Sequence, residues 1–206
     1  PNSLNSPFRV ISIRRDLGLV GLRTWEIHMF KTALVYGSIS GALILGVILV
    51  GLRYGDQHGT GMFSSEWFGY LVMIVALSTI FLAIRDYRNK NLGGVIKFLP
   101  AFGLGLMIAA FAGVAYVVSW EIYLSATHYA FMDQYVASMI EHARASGLSG
   151  SALDAKIAEL NAMKASYANP LFRLPMTFLE ILPVGLIIAL ISAAVLRNPK
   201  VLPARA

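Results

Sequence analysis

The residue that stands out for its chemistry is Glu180, an acid inside the stretch "PLFRLPMTFLEILPVGLI" that runs from Pro170 to Ile187. Its neighbours are apolar on both sides, and prolines stand at 175 and 183. A carboxyl group at membrane depth costs several kcal/mol unless it is protonated, paired or beside water. At 100° per residue, Arg173, Thr177, Val184, Ile187 and Ile191 share its face on a straight helix, with Gly185 and Ala189 opposite. Counted from Leu174, the acid lies roughly 9 Å along the helix axis. Pro183 has no N–H to donate to the Leu179 carbonyl and bends a helix at that point. A bent helix, a freed carbonyl and an acid are the parts of a proton or cation site in broken transporter helices. They also suit a purely structural acid, protonated or held by Arg173 or by a Tyr, Ser or Thr of another span. A third use is contact with a ligand or partner. All three readings stay open on Glu180, Arg173, Thr177 and Pro183.

Other polar residues offer weaker chemistry. In "WEIYLSATHYAFMD", Glu121 and His128 are seven apart and share a face if the helix continues, with Asp133 and then Glu141 and His142 following. This spacing matches no compact metal motif such as HExxH, so solvated polar residues are the expectation and no metal or other cofactor is assigned. "IRDYRNKNLGG" supplies Arg85, Asp86, Arg88 and Lys90, then Gly93 and Gly94 as a flexible break. The basic residues there are expected topology anchors, with a lipid-headgroup or cytoplasmic-partner site as the functional alternative. The sequence carries no Ser-His-Asp set, phosphate loop or ATPase motif. It has no cysteine, which removes disulfides and thiolate chemistry.

The elements that must position these residues are membrane spans. The 206 residues are 57% hydrophobic and only 14% charged, with mean hydropathy +0.65. A soluble domain carries about a quarter charged residues. Four stretches are long enough to cross about 30 Å of hydrocarbon, at about 32–52, 67–84, 95–120 and 174–196. Trp67, Phe68 and Tyr70 open the second, and Tyr116, Trp120 and Tyr123 close the third, as interfacial aromatics do. The expected fold is therefore an all-α integral membrane protein, one four-helix domain over 29–199, with a polar insert at about 121–170.

Small residues recur at every fourth position in three spans. They are Ala33, Gly37 and Gly41; Ala101, Gly105, Ala109 and Gly113; and Gly185, Ala189 and Ala193. Such ladders let backbones approach closely in lipid. The third span is expected at the bundle centre. The second, with Leu71, Ile74, Leu77 and Phe81 instead of a ladder, is expected at its edge. Intramolecular packing is the expected use of Gly37 and Gly41, and homodimerisation the alternative.

Charge sets the orientation. With both termini in the cytoplasm, only Arg53, Arg144, Lys156, Lys164 and Arg173 of the 17 Lys and Arg lie outside. That satisfies the positive-inside bias. The net charge of +6 reflects this asymmetry rather than a nucleic-acid surface, since the basic residues are scattered between helix ends. The tail at 200–206 is then cytoplasmic. Residues 1–28 are basic and lack the apolar core of a secretory signal. They form a cytoplasmic lead-in, or they precede a true start at Met29. The second reading is favoured, because Trp25-Glu26 is encoded by a purine-rich run at ribosome-binding distance from that codon.

The insert is expected to be a helical hairpin on the outer side. "FMDQYVASMIEHARASG" ends at Gly147 by the glycine stop. "SALDAKIAELNAMKASYANP" opens with a Ser151–Asp154 capping box and carries an apolar stripe at Leu153, Ile157, Leu160 and Tyr167. It is read as a folded connector, with docking of another envelope protein as the alternative.

The segments "YGSISGALI", "IRDYRNKNLGG" and "NPLFRLPMTFLEILPVGLI" together resemble the domain-of-unknown-function 4199 family, small bacterial inner-membrane proteins. The resemblance spans Lys31 to Pro199, and Arg85, Asp86, Gly93 and Gly94 are its most specific residues. It implies four helices with a polar insert before the last, and it brings no activity, cofactor or catalytic residue. The expected function is a non-enzymatic accessory, scaffolding or regulatory component of the bacterial inner membrane. Its partners are the lipid bilayer and either a second copy or an envelope protein. The alternative is a small transporter or channel component in which Glu180 takes up a proton or cation.

Overall fold

The structure, a computed structural model, describes residues 26–50 and 66–203. The lead-in at 1–28 lies outside the described residues except for its last three, which open the first helix. Among the described residues seven helices follow in order: α1 (Glu26–Val50), α2 (Glu66–Leu77), α3 (Thr79–Asn91), α4 (Phe98–Ala126), α5 (Phe131–Ala145), α6 (Gly150–Tyr167) and α7 (Pro170–Leu196). No strand occurs among the described residues. Four helical stretches among the described residues are long and apolar enough to cross a membrane: α1, α2 with α3, α4 and α7. The architecture is that of a multi-pass membrane protein. Exposed Leu34, Val35, Leu71, Val118, Ile187 and Ile191 give it an apolar outer surface, as lipid contact requires.

Antiparallel α4 and α7 form the central pair. A Cβ added to Gly105 would meet the Ala189 Cβ at 2.7 Å, and one on Gly185 would meet the Ala109 Cβ at 2.7 Å. One added to Gly113 would meet the Phe178 ring at 2.7 Å and Ile181 at 3.3 Å. The two ladders therefore face each other rung for rung. The seam follows every fourth residue, as ridges packed into grooves do. On α7 it runs through the buried residues Ala189, Gly185, Ile181, Thr177 and Arg173. Its other side on α4 runs through Gly105, Ala109 and Gly113 towards Glu121. This register is what brings Arg173 to Glu121.

The contact is tight enough to test. Gly185→Ala is expected to destabilise the bundle by about 1–3 kcal/mol, the usual range for overpacking. Ala109→Gly added to it removes the methyl group that clashes and restores most of the loss. Gly46, with open space around its Cα, accepts alanine without loss. Thermal unfolding in one detergent compares the four proteins.

α1 packs on the other side of α4. A side chain at Gly37 would strike the Phe111 Cβ at 2.5 Å, and one at Gly41 would strike Ala115. Phe30 meets Phe111 edge to face, with ring centroids 5.5 Å apart. The second span differs from its expected edge position. Ala76, Leu77, Ile80, Ala83, Ile84, Tyr87 and Arg88 are buried, so one full face of α2–α3 belongs to the core, while Leu71 and Ile74 face outward. Large residues do there what glycine does elsewhere, filling the gap instead of closing it. The span is also interrupted at Ser78. The Ser78 hydroxyl donates to the Val75 carbonyl (2.6 Å) and the Thr79 hydroxyl to the Ala76 carbonyl (2.9 Å). Such back-bonding supports a bend in an apolar helix. Thr79 also meets Ser40 of α1, with 2.5 Å between the hydroxyls.

α5 and α6 form the hairpin between the last two spans. α5 stops in a left-handed turn at Gly147 (φ +88°). The Leu148 N–H donates to the Ala143 carbonyl (3.1 Å) and the Gly147 N–H to the Arg144 carbonyl (3.0 Å), which is a Schellman stop. Leu160 is buried, and Leu153, Ile157 and Tyr167 are half-buried on the same stripe. The capping box at Ser151 and Asp154 does not form. The N-cap lies two residues sooner, at Ser149, with no side-chain hydrogen bond, and the helix starts at Gly150. Lys164 forms an ion pair with Asp133 across the hairpin.

α7 starts at Asn169, whose side chain accepts from the Leu171 N–H (3.0 Å). Pro170 occupies the first turn, where no N–H is needed. The helix continues through Pro175 and Pro183.

Candidate functional site

Polar side chains gather at three levels along the α4–α7 pair and its neighbours. At the hairpin end, Arg173 of α7 is only 4% exposed. Its Nε donates to Glu121 Oε1 (2.7 Å) and Nη2 to Oε2 (2.9 Å). This two-pronged geometry is the strong form of the pair. Nη1 donates to the carbonyls of Tyr167 (3.0 Å) and Ala168 (3.3 Å). The guanidinium lies 5.3 Å from the Tyr129 ring centre and 5.8 Å from that of Tyr167. Trp120 stacks on Tyr123 at 4.9 Å and donates from Nε1 to the Tyr167 hydroxyl (2.6 Å). Tyr129 follows His128 in a left-handed turn, with φ of +59° and +52°, a costly conformation for bulky residues. The whole cluster joins α4, the turn after it, the end of α6 and the start of α7.

One level deeper, the buried Tyr116 of α4 donates its hydroxyl to Glu180 Oε2 (3.2 Å). Glu180 itself is exposed on the outer face of α7, level with Met176, Leu179, Pro183 and Ile187, which are exposed too. An apolar groove between α4 and α7, lined by Val114, Val118, Pro175, Phe178 and Leu179, borders this face. Thus an acid stands where acyl chains are expected, about 10 Å along the axis from Arg173 at 1.5 Å per residue.

The third level is the opposite end. Arg88 of α3 is fully buried. Its Nη1 donates to the carbonyls of Leu196 (3.2 Å) and Val201 (2.9 Å), and Nη2 to that of Leu202. Nε donates to Asn89 Oδ1 (2.9 Å). Asp86 accepts from Lys90 (2.6 Å) and from the Tyr36 hydroxyl of α1 (2.9 Å). Gly93 and Gly94 take φ of +62° and +91°. The Gly94 N–H closes on the Arg88 carbonyl (2.9 Å), so the pair forms a defined turn rather than a flexible break.

Several expectations change. Arg173 and Thr177 do not share Glu180's surroundings. Both are buried towards α4, and the Thr177 hydroxyl donates to the Arg173 backbone carbonyl (3.0 Å). A straight-helix projection puts residues seven apart on one face, but this seam advances by fours and turns about 40° at each step. Glu121 is not a solvated residue on one face with His128. α4 ends at Ala126, so His128 falls in the turn, and Glu121 is committed to Arg173. Among the described residues no three His, Asp or Glu converge as metal ligands. Arg88 is no surface anchor, because it serves the end of α7. The Tyr116 partnership was visible in the sequence only as an unspecified hydroxyl from another span.

No solved structure matches this chain. NADH-quinone oxidoreductase subunit N 1 of Thermodesulfovibrio yellowstonii is similar to it, 28% identical over 116 residues, which is 53% of this chain and 25% of that protein. The chain therefore covers well under two thirds of that relative's length. The family model described as "Protein of unknown function (DUF4199)" matches residues 35–198, most of the span that the described helices occupy, and the chain belongs to that family.

Proposed function

We propose that this protein is a non-enzymatic accessory component of the bacterial cytoplasmic membrane that engages a transmembrane partner through Glu180. In this reading both termini are cytoplasmic and the α5–α6 hairpin is outside, in keeping with the distribution of Lys and Arg. One observation carries the proposal. Glu180 is exposed on an otherwise apolar face, and its one hydrogen bond among the described residues is from Tyr116. A carboxyl group left in lipid is costly. Pro183 also deprives the Leu179 carbonyl of its usual donor. The face therefore offers acceptors and calls for donors. The fitting partner is a transmembrane helix that brings a basic, amide or hydroxyl side chain to this depth.

Native mass spectrometry of the gently extracted protein, wild type beside Glu180→Gln, tests this. The expected result is a companion of defined mass on the wild type that is lost from a mutant with unchanged melting behaviour. Identical adducts and identical oligomeric state on both would overturn it and make the acid structural.

A second reading draws on the similarity to a subunit of an NADH-quinone oxidoreductase and on the acid beside a proline. Here the chain is a component of a transport assembly and Glu180 takes up a proton or cation. Proton-coupled flux in proteoliposomes, abolished by Glu180→Gln, would favour this second reading. Absence of flux across varied gradients would count against it.

A further inference from the structure

The last turns of α3 hold one guanidinium with no hydrogen-bonded partner among the described residues. Arg88 is spent on carbonyls of the α7 end, and Asp86 on Lys90 and Tyr36. Arg85, one turn before Arg88, forms no ion pair and no hydrogen bond among the described residues. Its Nε is buried without an acceptor, while the residue as a whole is half-buried, so the outer end of the guanidinium stays within reach of a headgroup. A buried charged donor left unmet is the most costly kind of unpaired polar group. The geometry makes this worse, because residues three apart on a helix are neighbours and Arg85 therefore stands beside a second guanidinium.

The surroundings specify what is missing. Lys97 caps the start of α4, and Arg197 and Lys200 follow the end of α7, so the same end of the bundle is basic. Asp86, the acid beside Arg85, is already doubly engaged. A cation or a zwitterion with an outward amine finds no counter-charge here, whereas an anion does. Leu82, one turn from Arg85, is half exposed, so this side of α3 borders acyl chains. Arginine at the end of a span reaches the headgroup layer with its stem in hydrocarbon, and its planar fork matches two phosphate oxygens.

We propose that Arg85 binds the phosphate group of an anionic glycerophospholipid, whose chains lie along the Leu82 side of α3. The site is separate from Glu180 and rests on none of the argument for it. Free inorganic phosphate shares the headgroup's chemistry, and the test separates the two.

The delipidated full-length protein is melted in detergent with phosphatidylglycerol, with phosphatidylcholine, or with inorganic phosphate, and retained lipid is counted by native mass spectrometry. Phosphatidylglycerol is expected to be retained by the wild type and to raise its melting point. Arg85→Ala should lose about tenfold in retention, the loss of one good charged contact, and should melt without lipid at or above the wild type, because it removes an unmet charge. Arg85→Lys should fall between them. Lys31→Ala, which removes an exposed charge of α1 that forms no ion pair among the described residues, should bind as the wild type does. Stabilisation of the wild type by inorganic phosphate alone, absent in Arg85→Ala, would identify free phosphate as the source and overturn the lipid assignment. Equal retention by the wild type and Arg85→Ala, or an equal loss in Lys31→Ala, would overturn the site altogether.

Discussion

Arg173→Ala is expected to lower stability by about 3 kcal/mol, the low end for removing one partner of a buried ion pair. For a protein of this size that is a fall in melting point on the order of 10 °C. The low end applies because Glu121 retains some access to solvent, with 27% of its side chain exposed. What the mutation leaves behind causes the loss. Glu121 keeps its charge beside Trp120 and Tyr129 with no guanidinium, and the carbonyls of Tyr167 and Ala168 lose their donor. The effect should also be local. Arg173 ties the end of α6 to the mouth of the bundle, so hydrogen exchange should accelerate over Tyr167 to Leu174 before it does so in α4. Glu121→Leu combined with Arg173→Met should recover most of the loss, since replacing a buried pair by apolar residues is often neutral. Equal destabilisation in the double mutant would show that the carbonyl contacts of Arg173, not the ion pair, hold the joint.

This joint shows how far the sequence could be read. The spans were legible because about 20 apolar residues leave little choice in lipid. Ladders such as Gly105, Ala109 and Gly113 marked the packing faces, since only small residues permit that approach. The ladder did not say where a face leads once the small residues stop. Extending its spacing from Gly113 by eight residues reaches Glu121, and from Gly185 back by twelve reaches Arg173. A register between the helices was needed to pair them, and no single-helix projection contains one. The same gap separated Glu180 from Tyr116. The Ser78 interruption was hidden for a different reason. Serine and threonine satisfy their hydroxyls on the preceding turn, so a bend there leaves hydropathy unchanged. The Gly147 stop could be read because a left-handed residue at a helix end is a local demand. The Ser151 capping box failed because the motif tolerates a shift of register that Ser149 and Gly150 exploit.

The assignment of Arg88 as an anchor failed because a sequence counts charges without saying where they point, and the second large prediction follows from its observed place. Arg88→Ala is expected to cost about 3 kcal/mol, from hydrogen bonds by a charged donor worth roughly 1.5–3 kcal/mol each, offset by water reaching the freed carbonyls. The last four carbonyls of any helix lack partners within it, and a cation nearby also opposes the helix dipole. Arg88 supplies both for α7 from another helix. It also draws in the chain beyond Pro199, where Leu202 adopts a left-handed φ of +48° to present its carbonyl. A bulky residue holds that conformation only when its surroundings require it. With the guanidinium gone, Leu202 should relax, and the segment from Asn198 onward should become the first site of proteolysis. Arg88→Lys should recover only part of the stability, because one ammonium group cannot meet three carbonyls and Asn89 in the same fork geometry. If Arg88→Ala melts with the wild type and its end segment stays protected, the end of α7 is held by packing of Leu196 against the core, and the guanidinium contributes little.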